Sequence, residues 1–231
     1  MPRRERLPAR ERLLKALNHE EPDRVPIDLG GFQTGIHRQA YADLIQYLGF
    51  DETPEILDPV QQLVVPSERL LNLFHVDVRY ITAHGPEGFD GSIKQNVRDG
   101  RLWHDLTDEF GVVWSMPDDQ GLYMDMSHHP LAGATLDDVA GYPFPDGSDP
   151  SRFTGVRERA LEIKQHTPYA LSSGICGVTY ETCWYLRGLE RLFMDMIEQP
   201  EICEAIIDQT CQYWVDWMKG FLGEVGDLLD V

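Results

Sequence analysis

The sequence predicts an α/β protein on a parallel sheet: about the first half of a (β/α)8 barrel of the TIM type, with a β-hairpin insertion. Three observations predict it. Tyr169–Ser173 is a short apolar run, the signature of a buried parallel strand, and Gly174 and Gly177 break it before TYETCWYLRGLERLFMDMI resumes with helical spacing. Four strand candidates, Val25–Gly30, Asp77–Ala83, Tyr169–Ser173 and Asp227–Val231, alternate with helical stretches, and a full barrel of this kind needs about 250 residues. Between the second and third strands lies an antiparallel excursion over residues 85–126, which reads as an insertion rather than a domain.

The elements follow in order. Pro8 suits the first turn of a helix whose Leu13, Leu14 and Leu17 share a face. Val25–Gly30 ends on Gly30 and Gly31, and a polar loop runs to His37. A helix marked by Ala40, Tyr41, Leu44, Ile45 and Leu48 closes at Gly49. His37 thus falls just past a strand end, where a histidine serves as a cap or as a functional group. Pro66–Phe74 is a short helix feeding the second strand. There alternation puts Val76, Val78 and Tyr80 on one face and Asp77 and Arg79 on the other. In an open sheet both charges are solvated; inside a barrel one of them points at the lumen, where an acid needs a partner or a task.

Asp99-Gly100 between two extended runs is a hairpin turn, and Phe110–Ser115 and Gly121–Met126 continue the excursion. His128 and His129 are adjacent on an extended segment, so they point opposite ways and at most one serves a given site. Gly141–Pro150 is an irregular connector. Phe153, Val156, Ala160 and Ile163 mark the helix before the third strand. Past that strand, Thr179, Glu181 and Tyr185 are the polar groups at its carboxyl end, where α/β folds do their chemistry. A helix cap and an amphipathic tyrosine are the plainer reading of the same residues. Leu189, Leu192, Phe193, Met196 and Ile197, then Ile202 to Phe221, form an apolar stripe wide enough to be core.

Composition narrows the function. With 42% hydrophobic residues, the 231-residue chain can bury a sizeable core and reads as one domain. It has 39 acidic and 20 basic residues, a formal charge of −19, which excludes a nucleic-acid role because phosphate binding needs a basic face. Arg3, Arg4 and Arg6 precede PARERLLKAL, which lacks the apolar core of a secretory signal, and no stretch approaches the ~20 apolar residues of a membrane span. Cys176, Cys183, Cys203 and Cys211 lack the close spacing of a zinc quartet; Cys203 and Cys211 read as small core residues, and a reducing, cytoplasmic setting fits.

Several stretches resemble the uroporphyrinogen decarboxylase superfamily: RERLLKALNHEEPDRVPIDLGG from Arg10, DEFGVVW from Asp108, HPLAGATLDDVAGYPFPD from His129, and GVTYETCWYLRG ending at Gly188. The resemblance spans essentially the whole chain. It implies a (β/α)8 barrel with its site at the carboxyl ends of the strands, and a C-terminal half beyond Val231. Decarboxylases of this superfamily act on a porphyrinogen without a cofactor and hold its carboxylates with arginines on the loop after the first strand. Here that loop reads GGFQTGIHRQAY, with only Arg38 nearby and His37 in the loop. Losing a guanidinium clamp is costly for a polyanionic substrate. The other branch comprises methyltransferases that move a methyl group between a corrinoid protein and a thiol or similar acceptor, using zinc held by residues of the second half of the barrel. The altered loop favours this branch, with decarboxylase as the alternative and no metal ligands expected in this chain. The resemblance makes Asp77, in LFHVDVRYI, and Tyr185 the candidate catalytic residues, expected within reach of each other, with His37, Arg38 and Glu181 on the substrate. A third reading is a non-catalytic half-barrel that pairs with itself or with a complementary half through unpaired strand edges.

Overall fold

The computed structural model describes residues 6–119, 121–174 and 178–231. Gly177 and Cys176 lie outside the described residues. In chain order the elements begin with α1 (Ala9–Leu17), β1 (Ile36–His37), α2 (Arg38–Tyr47), β2 (Glu55–Asp58), β3 (Leu63–Val65), α3 (Glu68–Leu73) and β4 (Val78–Tyr80). Next come β5 (Lys94–Arg98), β6 (Arg101–Thr107), β7 (Val113–Pro117), β8 (Asp125–His128) and α4 (Leu136–Ala140). The chain finishes with α5 (Val156–His166), β9 (Ala170–Ser172), α6 (Thr179–Arg187), α7 (Leu189–Glu198) and α8 (Pro200–Val225). It is a mixed α/β protein with three sheets, none of them closed into a barrel among the described residues. The chain forms two compact units: residues 1–84, 153–175 and 224–231, and residues 85–152 and 176–223.

The first unit is built on the expected parallel pair. β4 and β9 run side by side with Val78 opposite Ala170 and Tyr80 opposite Ser172, and Val78, Ala170 and Leu171 are buried. The two outer strand candidates shrink to single contacts. The Asp77 amide donates to the Ile27 carbonyl (2.8 Å), and the Asp230 amide donates to the Leu171 carbonyl (2.8 Å). Val25–Gly30 fails to form a ladder because Pro26 has no N–H and the Ile27 N–H donates to the Asp77 carboxylate instead (2.8 Å). Asp227–Val231 fails because α8 unwinds through a turn that holds Leu228 on the Val225 carbonyl (2.8 Å), leaving only Asp230 and Val231 to meet Leu171.

Two features of this unit correct the sequence reading. α1 does not bury its leucine face: Leu14 and Leu17 are exposed, while Ala9 and Arg12, the latter 2% exposed, are buried. The reason is electrostatic and appears below. A second sheet, with β3 antiparallel to both β1 and β2, was not expected at all. Strands of two to four residues carry no periodicity to read, and Tyr41, Ile45, Val64 and Leu70 supply the core that holds them.

The second unit contains the predicted excursion as a four-stranded meander, β5-β6-β7-β8. Asp99 (φ 51°) and Gly100 (φ 77°) are both left-handed, the type I′ turn that matches strand twist, with Arg98 opposite Arg101. The excursion runs past residue 126, since β8 continues to His128. α4, unread in the sequence, is fixed by a capping box in which the Thr135 side chain and Asp138 bond each other's amides. The apolar stripe of α7 is not core. Leu192 is buried, but Leu189, Phe193, Met196 and Ile197 are exposed, Ile197 at 86%; no described element covers that face. In α8 the expectation holds in part: Ile202, Cys203, Ile206 and Phe221 are buried, while Ile207, Cys211, Trp214, Trp217 and Met218 are half-buried.

Candidate functional site

The parallel pair of the first unit has two ends with different chemistry. At the carboxyl end, β4 finishes on Tyr80 and β9 on Ser172, beside the loop that leaves Ile27. Gly30, at φ 113°, donates its amide to the Thr34 carbonyl (3.1 Å), and the Gly31 amide donates to Thr34 Oγ1 (3.1 Å). The loop thereby folds back over the strand end. The Tyr80 ring occupies the space a side chain at residue 31 would need: a Cβ there would stand 2.4 Å from Tyr80 Cζ. The Tyr80 hydroxyl donates to Asp28 Oδ2 (2.6 Å), and the hydroxyls of Thr34 and Ser172 lie within hydrogen-bonding reach of the phenol. Burial, then the contact with Asp28, pushes the phenol above its ordinary pKa, so at neutral pH Tyr80 is a neutral donor. Next on the chain, Ser173 Oγ is buried with no hydrogen-bond partner, and Gly174 lies so close to Phe32 that a Cβ would meet its ring at 2.6 Å. An unpaired buried hydroxyl costs roughly 1–3 kcal/mol unless something completes it.

The amino end is closed by ion pairs. Asp77, 1% exposed, accepts from Arg12 Nη1 (2.5 Å) and Arg24 Nη2 (3.0 Å) on Oδ1, and from Arg24 Nη1 (2.6 Å) and the Ile27 amide (2.8 Å) on Oδ2. Four donors use the four lone-pair directions of a carboxylate. Asp230 repeats the device one strand along. It takes Arg10 Nε (3.1 Å), Lys164 Nζ (2.5 Å) and the Leu171 amide (2.9 Å), as its own amide donates to the Leu171 carbonyl. Arg10 and Arg12 both come from α1. Arg12 also grips Asp23 (2.7 Å), whose carboxyl is held well below the usual range by that arginine and by the amides of Arg6 and Leu7. This explains why α1 buries arginine in place of leucine.

The residues selected from the sequence fall as follows. Asp77 stands at the amino end of β4, not at the expected carboxyl end, with its carboxylate fully engaged. His37 caps α2, its Nδ1 accepting from the Gln39 amide (3.2 Å), and Arg38 is the exposed first residue of that helix. Both follow the loop of the carboxyl end. Glu181 and Tyr185 belong to the second unit and are brought together one helical turn apart, Tyr185 OH to Glu181 Oε2 at 3.2 Å. The Tyr185 ring packs edge-on against Trp114 (5.1 Å) and Trp184 (4.4 Å). Sequence reasoning missed Asp28, Tyr80, Thr34, Ser172 and Ser173. One signal was there for Asp28, which lies close to the end of the strand candidate Val25–Gly30, where barrel chemistry sits; Tyr80 falls in the middle of Asp77–Ala83.

Among the described residues no group of three His, Cys, Asp or Glu side chains converges to hold a metal. Cys183 is buried, donates to the Thr179 carbonyl (3.1 Å) and touches Thr210, and burial pushes its thiol up to about 11. No helix among the described residues is long and apolar enough to cross a membrane. Protein-family models, curated proteins and solved structures offer no match to this chain.

Proposed function

We propose that the chain is the N-terminal part of an enzyme of the uroporphyrinogen decarboxylase superfamily, more specifically a corrinoid-linked methyltransferase of the cytoplasm. Its site would lie at the carboxyl ends of the parallel strands, and a small molecule and a corrinoid protein would be its partners. The arrangement of extended segments supports the half-barrel: Ile27, β4, β9 and Asp230 are hydrogen-bonded neighbours in chain order, with helices between them, as in the start of a (β/α)8 sheet. The observation that carries the choice of branch is the loop at Gly31. Tyr80 fills the space a side chain at residue 31 would need, and the charge beside it is the carboxylate of Asp28. A porphyrinogen with many carboxylates would meet repulsion there, where a guanidinium pair would attract. Tyr185 and Glu181, hydrogen-bonded on α6, stay in the proposal as groups for the substrate, together with His37 and Arg38. The resemblance places zinc and its ligands past Val231, and no step is assigned to it here.

The exposed face of α7, with Leu189, Phe193 and Ile197, favours a second reading in which the chain associates with itself as a homodimer. The test of function uses the protein from the complete reading frame, supplied with zinc, methylcobalamin and 2-mercaptoethanol. Formation of the S-methyl thioether, with uroporphyrinogen left intact, is the expected result. Decarboxylation of uroporphyrinogen at ordinary enzyme rates would overturn the reading.

A further inference from the structure

α7 is turned inside out. Its sequence, LERLFMDMIE, carries a ridge of apolar residues at four-residue spacing, Leu189, Phe193 and Ile197, with Met196 beside it. An ordinary surface helix buries such a ridge. Here all four residues are exposed, Phe193 at 51% and Ile197 at 86%, while the helix buries Leu192 and Asp195. Ion pairs fix that orientation. Asp195, 0% exposed, accepts from Nε of the buried Arg187 (2.6 Å), and Arg191 Nη2 stands 2.8 Å from its other oxygen. Rolling α7 to bury the ridge would pull a buried carboxylate away from both arginines, so the apolar side stays outward.

Three observations say what covers it. The ridge is symmetric, with Leu189 and Ile197 four residues to either side of Phe193. A two-fold axis through Phe193 therefore lays the ridge of one copy into the groove beside the same ridge of another. The flanks of the ridge, Glu190 and Glu198, are exposed acids on a chain of charge −19, which disfavours an anionic membrane surface. The area is that of a weak dimer. The exposed parts of the four residues amount to about two whole side chains, roughly 400 Å² per copy. A pair thus covers roughly 800 Å² of apolar surface, and with its rim reaches the ~1,000 Å² of a specific contact.

We propose that α7 packs on α7 of a second copy about a two-fold axis through Phe193, with Leu189 of each copy against Ile197 of the other. The inference rests on the self-association reading of this face and names the contact that makes it. Because both rims are acidic, the pair forms against charge repulsion and tightens as salt rises. A contact held by opposite charges would loosen instead.

The test is sedimentation velocity of the whole chain across the micromolar range. The expected result is a reversible dimer that strengthens between about 0.05 M and about 0.5 M sodium chloride and is weakened at least ~10-fold in Ile197→Glu. That variant should melt with the wild type, since the side chain is exposed. On mild oxidation Phe193→Cys should cross-link to itself, while Leu189→Cys and Ile197→Cys cross-link only when mixed, all read against the wild-type chain with its native cysteines. A wild-type chain that stays monomeric would overturn the proposal. A dimer that Ile197→Glu leaves intact would overturn it too, keeping self-association but removing α7 from it. Leu189→Cys cross-linking to itself would overturn the two-fold geometry. Methyl transfer to a thiol by a monomeric chain removes this inference and keeps the functional reading, and a dimer without methyl transfer does the reverse.

Discussion

At the amino end of the β4–β9 pair every carboxylate is buried against arginine or lysine, and at the carboxyl end the one carboxylate, Asp28, meets only a phenol. The two ends share strands, so the difference is not one of fold but of what each end is completed by. Asp77 and Asp230 are completed within the protein: each reads both the N–H and the C=O of one residue on the neighbouring segment, Ile27 or Leu171, and α1 supplies an arginine to each. Nothing is left over for a ligand. The carboxyl end leaves Asp28 Oδ1 and Ser173 Oγ without protein partners. A saturated, buried network rigidifies, whereas the exposed Asp28 carboxylate is open to solvent.

The largest break in that comparison is Arg12→Leu. It removes one of the two cations on the buried Asp77 and the cation on the half-buried Asp23, and breaking a buried ion pair by removing one partner costs about 3–5 kcal/mol. Urea unfolding should show a loss of that size, with α1 released. A smaller effect is expected at Asp230→Ala, about 1–3 kcal/mol, because Arg10 keeps its bonds to the Tyr169 and Lys164 carbonyls. Acid should act on the same end. Asp23 has its folded pKa depressed, so its contribution is present above its unfolded pKa of about 4 and is lost as the pH falls below that. Proteolysis at residues 6–24 should therefore accelerate between about pH 4 and pH 3 before the meander of the second unit opens. The smallest effect is expected at the cysteines: Cys183, its thiol raised to about 11 by burial, should resist iodoacetamide at pH 8, while the half-buried Cys211 reacts.

How much was legible in the sequence follows from range. The Asp99-Gly100 hairpin was readable because its turn chemistry is local, β9 because a short apolar run bounded by glycine has few other uses, and β4 because its apolar and charged residues alternate after a helix. Alternation did separate Asp77 from Val78 and Tyr80, but it says which side a residue faces and not which end of a strand it closes. Arg12 was invisible to an apolar-face reading of α1, since the partner that buries it lies 65 residues away. The short strands β1 to β3 have too few residues for any period. At the carboxyl end, Asp28 was visible near the end of its strand candidate, whereas Tyr80 read as the middle of Asp77–Ala83, and nothing in the chain pairs them. Only the fold does that, by laying Tyr80 across Gly31.

The claim that the amino end, and not the carboxyl end, carries the stability of the pair is tested most directly by urea unfolding of Asp77→Asn beside Asp28→Asn. Both substitutions keep the shape and remove one charge. Asp77→Asn is predicted to lose about 3 kcal/mol or more, because Arg12 and Arg24 are left with half a partner in a buried site. Asp28→Asn is predicted to stay within about 0.5 kcal/mol of the wild-type chain, as exposed substitutions do. An Asp77→Asn variant as stable as the wild type, or two variants that lose the same amount, would contradict the account.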